Sequence, residues 1–323
     1  MLSDIFSIYN EPTPYAYHDP KDRQDRKVAI VTGANGEVGY YVCLHLYMHG
    51  WVVYATCRNP DRGLEAIEKI KQEAEERKQS LPDNAVLGEL ILGHVDLSYL
   101  YHVKEFVENF SKHETKVDLL INNAGALSLP AVKTPYDDIE VQLQINHVGP
   151  FLLTHLLLDH LSKSPEPRVV NVSSLAHFFA LPGISLDSSM SWPSDFVSGS
   201  LRYARAKQCV IQSTRVFAEQ YPNIFFLSVH PGFIPSTRLY RQWASTPIFG
   251  PVIRGTMSIL STINPTPEQG SYPILYASLS SQLSPLNDNG RFLHVGSFLT
   301  DSETSARYVW EWTVNVLKER GYL

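Results

Sequence analysis

Apolar residues along the chain fall into two alternating rhythms. Short continuous runs rich in Val, Ile and Leu are separated by longer segments whose apolar positions recur at helical spacing. Residues 27–33 (Lys-Val-Ala-Ile-Val-Thr-Gly) form such a run ending in glycine, as a buried parallel strand does. Residues 36–49 then place Val38, Val42 and Leu46 on one side of a helix, with Gly50 as its stop. Residues 51–57 are a second β-rich run. Residues 61–79 predict a charged amphipathic helix with Leu64, Ile67 and Ile70 inward. Strand three is expected over 91–97, a helix over 98–113, strand four over 117–122 and a long helix over 136–162. Strand five follows over 168–173, a helix over 201–220, strand six over 224–229, strand seven over 290–296 and a closing helix over 306–320.

Strands that alternate with helices of ten or more residues make right-handed βαβ units. The expected fold is therefore α/β: a doubly wound, Rossmann-type parallel sheet of about seven strands with helices on both faces, its ligands at the carboxyl ends of the strands. Two segments break the rhythm. Residues 182–199, rich in Ser and Asp, read as a surface loop; residues 237–267 are an apolar, proline-bounded excursion placed to cover a pocket. Residues 1–26 carry Pro12, Pro14 and Pro20 and are expected as an arm ahead of a single domain over 27–323.

Composition narrows the function classes. Of 323 residues, 44% are hydrophobic and 19% charged, enough apolar material for a packed core. A net charge of −6 argues against a nucleic-acid surface. Cys43, Cys57 and Cys209 are odd in number and without metal-ligand spacing, so neither a disulfide framework nor a metal site is expected. The first residues lack the pattern of a signal peptide, and no apolar run is long enough for a membrane span. A cytoplasmic protein is expected, with residues 246–263 as a candidate contact with a membrane or lipid-droplet surface.

The first chemistry lies between strand one and its helix. Gly33, Ala34, Asn35, Gly36, Glu37, Val38 and Gly39 form a loop whose glycines let the backbone approach a pyrophosphate at a helix N-terminus. After strand two, an acid would pair with a free ribose 2′-hydroxyl; the chain has Arg58 there, about 20 residues past the glycines, which favours the 2′-phosphate of NADP(H). A solvated surface arginine is the plain alternative.

Tyr203 and Lys207 lie four residues apart on one helix face, where a cation is expected to lower the phenol's pKa towards the neutral range. With this pair, the glycine loop, Asn122-Asn123-Ala124-Gly125 after strand four, Ser174 after strand five and His230-Pro231-Gly232 after strand six, the chain resembles the short-chain dehydrogenase/reductase family over about residues 27–300. Val170 to His177 and Cys57-Arg58-Asn59 resemble its retinol dehydrogenase-like branch and fungal relatives, which mostly use NADP. The resemblance implies that Tyr203 is the general acid, that Lys207 lowers its pKa and holds the nicotinamide ribose, and that Ser174, rather than Ser173, bonds the substrate oxygen. It further implies that Asn122, Asn123, Ala124 and Gly125 line the cofactor cleft, that Asp96 contacts the adenine, and that Pro231, Gly232 and Ser236 or Thr237 lie by the carboxamide. Asp96 is also readable as a helix N-terminal residue. Asn146 matches the asparagine of a water-mediated proton relay, and Pro150, lacking an amide hydrogen, leaves the Asn146 carbonyl free of its helical bond.

Two departures stand out. Glu37 occupies a position that is glycine in typical members, which places an acid near the pyrophosphate. Ser174 and Tyr203 are also further apart than in compact members, the surplus being the 182–199 loop. His177, Phe178, Phe179, Leu239, Tyr240, Trp243, Ile248, Phe249, Val252 and Ile253 would roof a pocket for a bulky apolar ketone, aldehyde or alcohol, or else pack on the body of the protein. Two rival functions remain open. The spacing of Gly33, Gly36 and Gly39 matches the nucleotide-sugar epimerase/dehydratase branch, and a non-catalytic NADP-binding scaffold uses the same fold. Relatives often dimerise through the helices containing Asn146 and Tyr203, which makes a homodimer an expectation of the resemblance.

Overall fold

The computed structural model describes residues 26–81, 85–180, 186, 196–240, 250–260, 264–294, 297–299 and 303–323. The expected arm and most of the 182–199 loop lie outside them. In chain order the elements are β1 (Val28–Thr32), α1 (Glu37–Met48), β2 (Val52–Cys57), α2 (Pro60–Arg77), β3 (Glu89–His94), α3 (Leu100–Phe110) and β4 (Leu119–Asn122). A broken helical run follows: α4 (Val141–Leu143), a π-turn (Gln144–Val148), α5 (Gly149–Leu156) and α6 (Leu158–Leu161). Then come β5 (Arg168–Val172), α7 (Phe196–Gln220), β6 (Phe225–Val229), α8 (Gly250–Leu260), α9 (Pro267–Leu279), α10 (Pro285–Asp288), β7 (Phe292–His294), β8 (Ser297–Leu299) and α11 (Glu303–Glu319).

The sheet order is β3-β2-β1-β4-β5-β6-β7-β8, parallel through β7. The reversal between β1 and β4 is the crevice at which doubly wound sheets bind ligands. The eighth strand, β8, pairs antiparallel with β7 and was not foreseen, because three residues show no periodicity. Successive side chains of each strand enter opposite layers. Val28 and Ile30 pack with α3, α5, α7 and α11, whereas Ala29 and Val31 pack with α1, α2 and α9. Covered on both faces, the inner strands have no polar side, which explains their continuous apolar runs.

Three expectations need correction. Leu64 is 53% exposed, so the buried stripe of α2 runs through Gly63, Ile67, Ile70 and Ala74. The long helix expected over 136–162 starts only at Val141 and is interrupted. Ahead of it Lys133 and Glu140 form an antiparallel bridge, and the Glu140 carboxylate caps the helix by accepting from the Leu143 N–H at 2.7 Å. Helix α9 carries a Thr266–Gln269 capping box and was missed, because Pro273 in its interior hides the pattern. Among the described residues no helix is long and apolar enough to cross a membrane.

Candidate active site

At the carboxyl end of β1 the chain must turn sharply into α1. Gly33 does so at φ +68°, which a side chain would resist. Gly39 faces it so closely that a Cβ there would fall 2.4 Å from the Gly33 carbonyl oxygen and 2.7 Å from Asn123 Nδ2. The loop is locked from β4: the Thr32 hydroxyl accepts from the N–H groups of Asn123 and Ala124, both at 3.0 Å, and Asn123 Nδ2 donates to the Thr32 carbonyl at 2.9 Å.

These residues open a cleft of about 440 Å³ along the ends of β1, β2, β4, β5 and β6. Gly33, Asn35, Gly36, Val38 and Gly39 line one part of it, with Arg58 and Arg62 at the end of β2 and Asp96 beyond β3. Asn123, Ala124, Gly125, Tyr203, Lys207, Pro231, Gly232 and Thr237 line the rest. Most of the cofactor residues singled out from the sequence, with Tyr203 and Lys207, therefore meet in one cavity, whereas Asn146 and Ser174 are not part of its lining. Asp96 is both a turn residue and a lining one, since one of its oxygens accepts from the N–H and hydroxyl of Ser98 at 2.9 and 2.6 Å. Ser236 is exposed and outside the lining, which leaves Thr237 facing the cleft. Asn122 is turned away from it: its Nδ2 donates into the core to Thr154 and Asn171, at 3.0 and 2.7 Å.

Helix α7 brings Tyr203 and Lys207 to the end of β5. The Lys207 ammonium is buried, donates to the Val172 carbonyl at 2.8 Å and lies 5.7 Å from the centre of the Tyr203 ring. Burial lowers its pKa to about 8. Tyr203 is 7% exposed, and burial pushes its hydroxyl up to about 12, partly offset by its hydrogen bond with Ser174. The expected lowering of the phenol is thus outweighed by desolvation, because Lys207 lies over the ring and spends its hydrogen bond on β5. The two serines part company: the Ser173 hydroxyl is buried and donates to the Lys207 carbonyl at 2.8 Å, whereas Ser174 faces Tyr203.

Asn146 sits in the π-turn. Its Oδ1 accepts from the Ala126 N–H at 3.0 Å, and its Nδ2 donates to the carbonyls of Ala126 and Gln142, at 2.9 and 2.8 Å. It therefore fastens the wall after Gly125 from behind the cleft. Beneath it a void of about 10 Å³ is bounded by Asn122, Asn146, Pro150, Thr154 and Asn171. The buried Asn122 Oδ1, on that void, has no hydrogen-bond partner among the described residues.

Of the expected roof, Leu239 and Tyr240 line the cleft, and the Tyr240 hydroxyl is pushed up by burial and, less, by the nearby Tyr203. Phe178 and Phe179 instead stand 63% and 71% exposed. Trp243, Ile248 and Phe249 lie outside the described residues, as do the side chains of Val252 and Ile253. Sequence reasoning missed Arg62, which carries no motif, and Arg238, which reaches the glycine loop from 201 positions away.

With the glycine loop, the buried tyrosine and the lysine in one cleft, and Ser174 hydrogen-bonded to that tyrosine from outside the lining, the fold and site have the arrangement of an oxidoreductase that binds a dinucleotide. The short-chain dehydrogenase family model matches residues 27–247, and the chain belongs to that family. It is 31% identical to retinol dehydrogenase 11 of Mus musculus over 296 residues, 90% of this chain and 86% of that one. It is 30% identical to retinol dehydrogenase 12 of Homo sapiens over 81% of this chain and 76% of that one. In fold it is similar to an uncharacterised protein from Mycobacterium paratuberculosis (TM-score 0.64, 23% identity, 90% and 93% covered). It is also similar to salutaridine reductase from Papaver somniferum (TM-score 0.59, 20% identity, 83% and 99% covered). The chain is thus a short-chain oxidoreductase of the retinol dehydrogenase-like branch, a family that acts on alcohols and carbonyls with NAD(P).

Proposed function

We propose that the protein is an NADP(H)-dependent carbonyl reductase, reversible as an alcohol dehydrogenase, that acts on a bulky apolar ketone or aldehyde. The observation that carries this reading is the buried Tyr203 hydroxyl, hydrogen-bonded to Ser174, in the same cleft as the glycine loop and Arg58. The cleft suits a dinucleotide: the close approach at Gly39 leaves backbone rather than side chains at the pyrophosphate end. Arg58 and Arg62 would hold a 2′-phosphate, Asp96 the adenine side, and Asn123, Ala124 and Gly125 the middle. Lys207, Pro231, Gly232 and Thr237 would hold the nicotinamide end. When bound, the dinucleotide supplies or accepts the hydride.

The protein's own part is the proton. In reduction Tyr203 donates its hydroxyl proton to the carbonyl oxygen, which Ser174 orients with a second hydrogen bond. A phenol held near 12 is protonated at neutral pH, the form that a general acid needs. Lys207, its pKa lowered to about 8 by burial, would then return a proton to Tyr203. Asn146 would support the water that relays the proton towards Lys207; the void beside it, about 10 Å³, is close to the smallest volume that holds one water and is lined by Phe151, Val210 and Phe217 as well as by Asn122, Asn146 and Asn171. Leu239 and Tyr240 present ring and aliphatic surface to the substrate.

The test follows NADPH absorbance with purified protein and a panel of apolar aldehydes and ketones, with NADH and Tyr203→Phe alongside. We expect turnover that needs NADPH and falls by at least about 100-fold in the variant, while NADPH still binds. Binding without any turnover would favour a scaffold. Turnover of a nucleotide sugar alone would favour the epimerase reading, which rests on glycine spacing.

A further inference from the structure

Glu37 is the first residue of α1 and lines the cleft at the glycine loop. An acid suits the first turn of a helix, where the dipole favours negative charge, but the same end of the helix is where a pyrophosphate would arrive. The structure meets this conflict from the far side of the cleft. Arg238, in the turn that follows Pro231 and Gly232, donates from its Nε to Glu37 Oε1 at 2.7 Å, and its backbone N–H reaches the same oxygen at 3.2 Å. Its Nη2 donates to the Asn35 carbonyl at 2.9 Å. Three hydrogen bonds thus tie the segment carrying Thr237, Leu239 and Tyr240 to the glycine loop. The side chains are 54% and 28% exposed, and an exposed pair by itself adds little to stability.

We propose that Arg238 is a cofactor-positioning residue: it neutralises Glu37 at the pyrophosphate loop and clasps the segment after Gly232 over the bound dinucleotide. This rests on the cofactor reading above and adds to it the device that lets an acid sit in the loop. Without Arg238 the Glu37 carboxylate faces the phosphates uncompensated. Without both charges the repulsion disappears, although the clasp is lost.

The experiment is a double-mutant cycle on NADPH affinity, read by the fluorescence of the bound nucleotide, with Arg238→Gln, Glu37→Gln and the pair together. Melting of the ligand-free variants, expected unchanged for exposed side chains, separates affinity from folding. Arg238→Gln should weaken NADPH at least about tenfold and raise KM for the nucleotide more than it lowers kcat. Glu37→Gln should bind within about threefold of the parent, and the double variant should recover most of the loss. Arg238→Lys, which keeps the charge, should recover part of it. Parent-like binding by Arg238→Gln overturns the proposal. A double variant as weak as Arg238→Gln overturns it too, since Arg238 would then be acting on the nucleotide directly rather than through Glu37. If the parent binds neither NADPH nor NADH, the cofactor reading itself fails and the proposal with it.

Discussion

At Lys207 two demands oppose each other: the site needs an ammonium beneath the tyrosine ring, and burial disfavours that charge. The Val172 carbonyl compensates only in part, so the native lysine loses its proton near pH 8, whereas an unfolded one does so near 10.5. Between those values the unfolded chain binds more protons, and stability due to this residue rises with pH. We therefore expect the unfolding free energy of the parent to gain about 2 kcal/mol on Lys207→Met between pH 7 and pH 9.5. Urea titrations at the two values check this, and a constant difference would contradict it. Tyr203 and Lys207 were legible in the sequence because four-residue spacing puts both on one helical face. The direction of the phenol's shift was not, because it depends on how deeply the fold buries it.

The element that departs most from its pattern is the run from Val141 to Leu161. Periodicity reads it as one helix, yet Pro150 cannot donate, and the π-turn at Gln144–Val148 absorbs the mismatch. Within the turn Asn146 replaces lost backbone pairing with its side chain, which fastens both polar groups of Ala126. Asn146→Ala leaves several buried partners unsatisfied, and we expect it to cost about 2 kcal/mol, measured by urea unfolding. Asn146→Asp would keep the Ala126 N–H bond and lose the two donated ones. The proline and asparagine were visible in the sequence; that the asparagine serves the wall after Gly125 became visible only when β4 and the π-turn were side by side.

Across the whole molecule, α11 decides which surfaces are free. It lies along α7, with Trp310 against Phe151 and Phe217 at ring distances of 4.9 and 4.6 Å. Thr313 bonds the buried His147 at 2.8 Å, and Gln212 donates to Ser305 at 2.6 Å. Part of the surface of the helices that the family resemblance would place at a dimer interface is thus occupied by α11. We expect a monomer of 36.5 kDa by light scattering, and a mass twice that would contradict this. Trp310 forms part of that cover, and Trp310→Ala should destabilise by about 3 kcal/mol in the same urea assay.

The alternation of apolar runs and amphipathic segments determined the order of strands and helices, since buried parallel strands and core-facing helices each impose their own period. The glycine loop, Arg58, Ser174, Tyr203 and Lys207 were likewise set by local spacing, each at the end of a strand or on one face of a helix. Three things belonged to the tertiary structure alone: the meeting of Arg238 with Glu37, the burial that shifts Tyr203 up and Lys207 down, and the packing of α11 along α7. Each depends on residues far apart in the chain reaching a common place, and no local period records a distance across the fold.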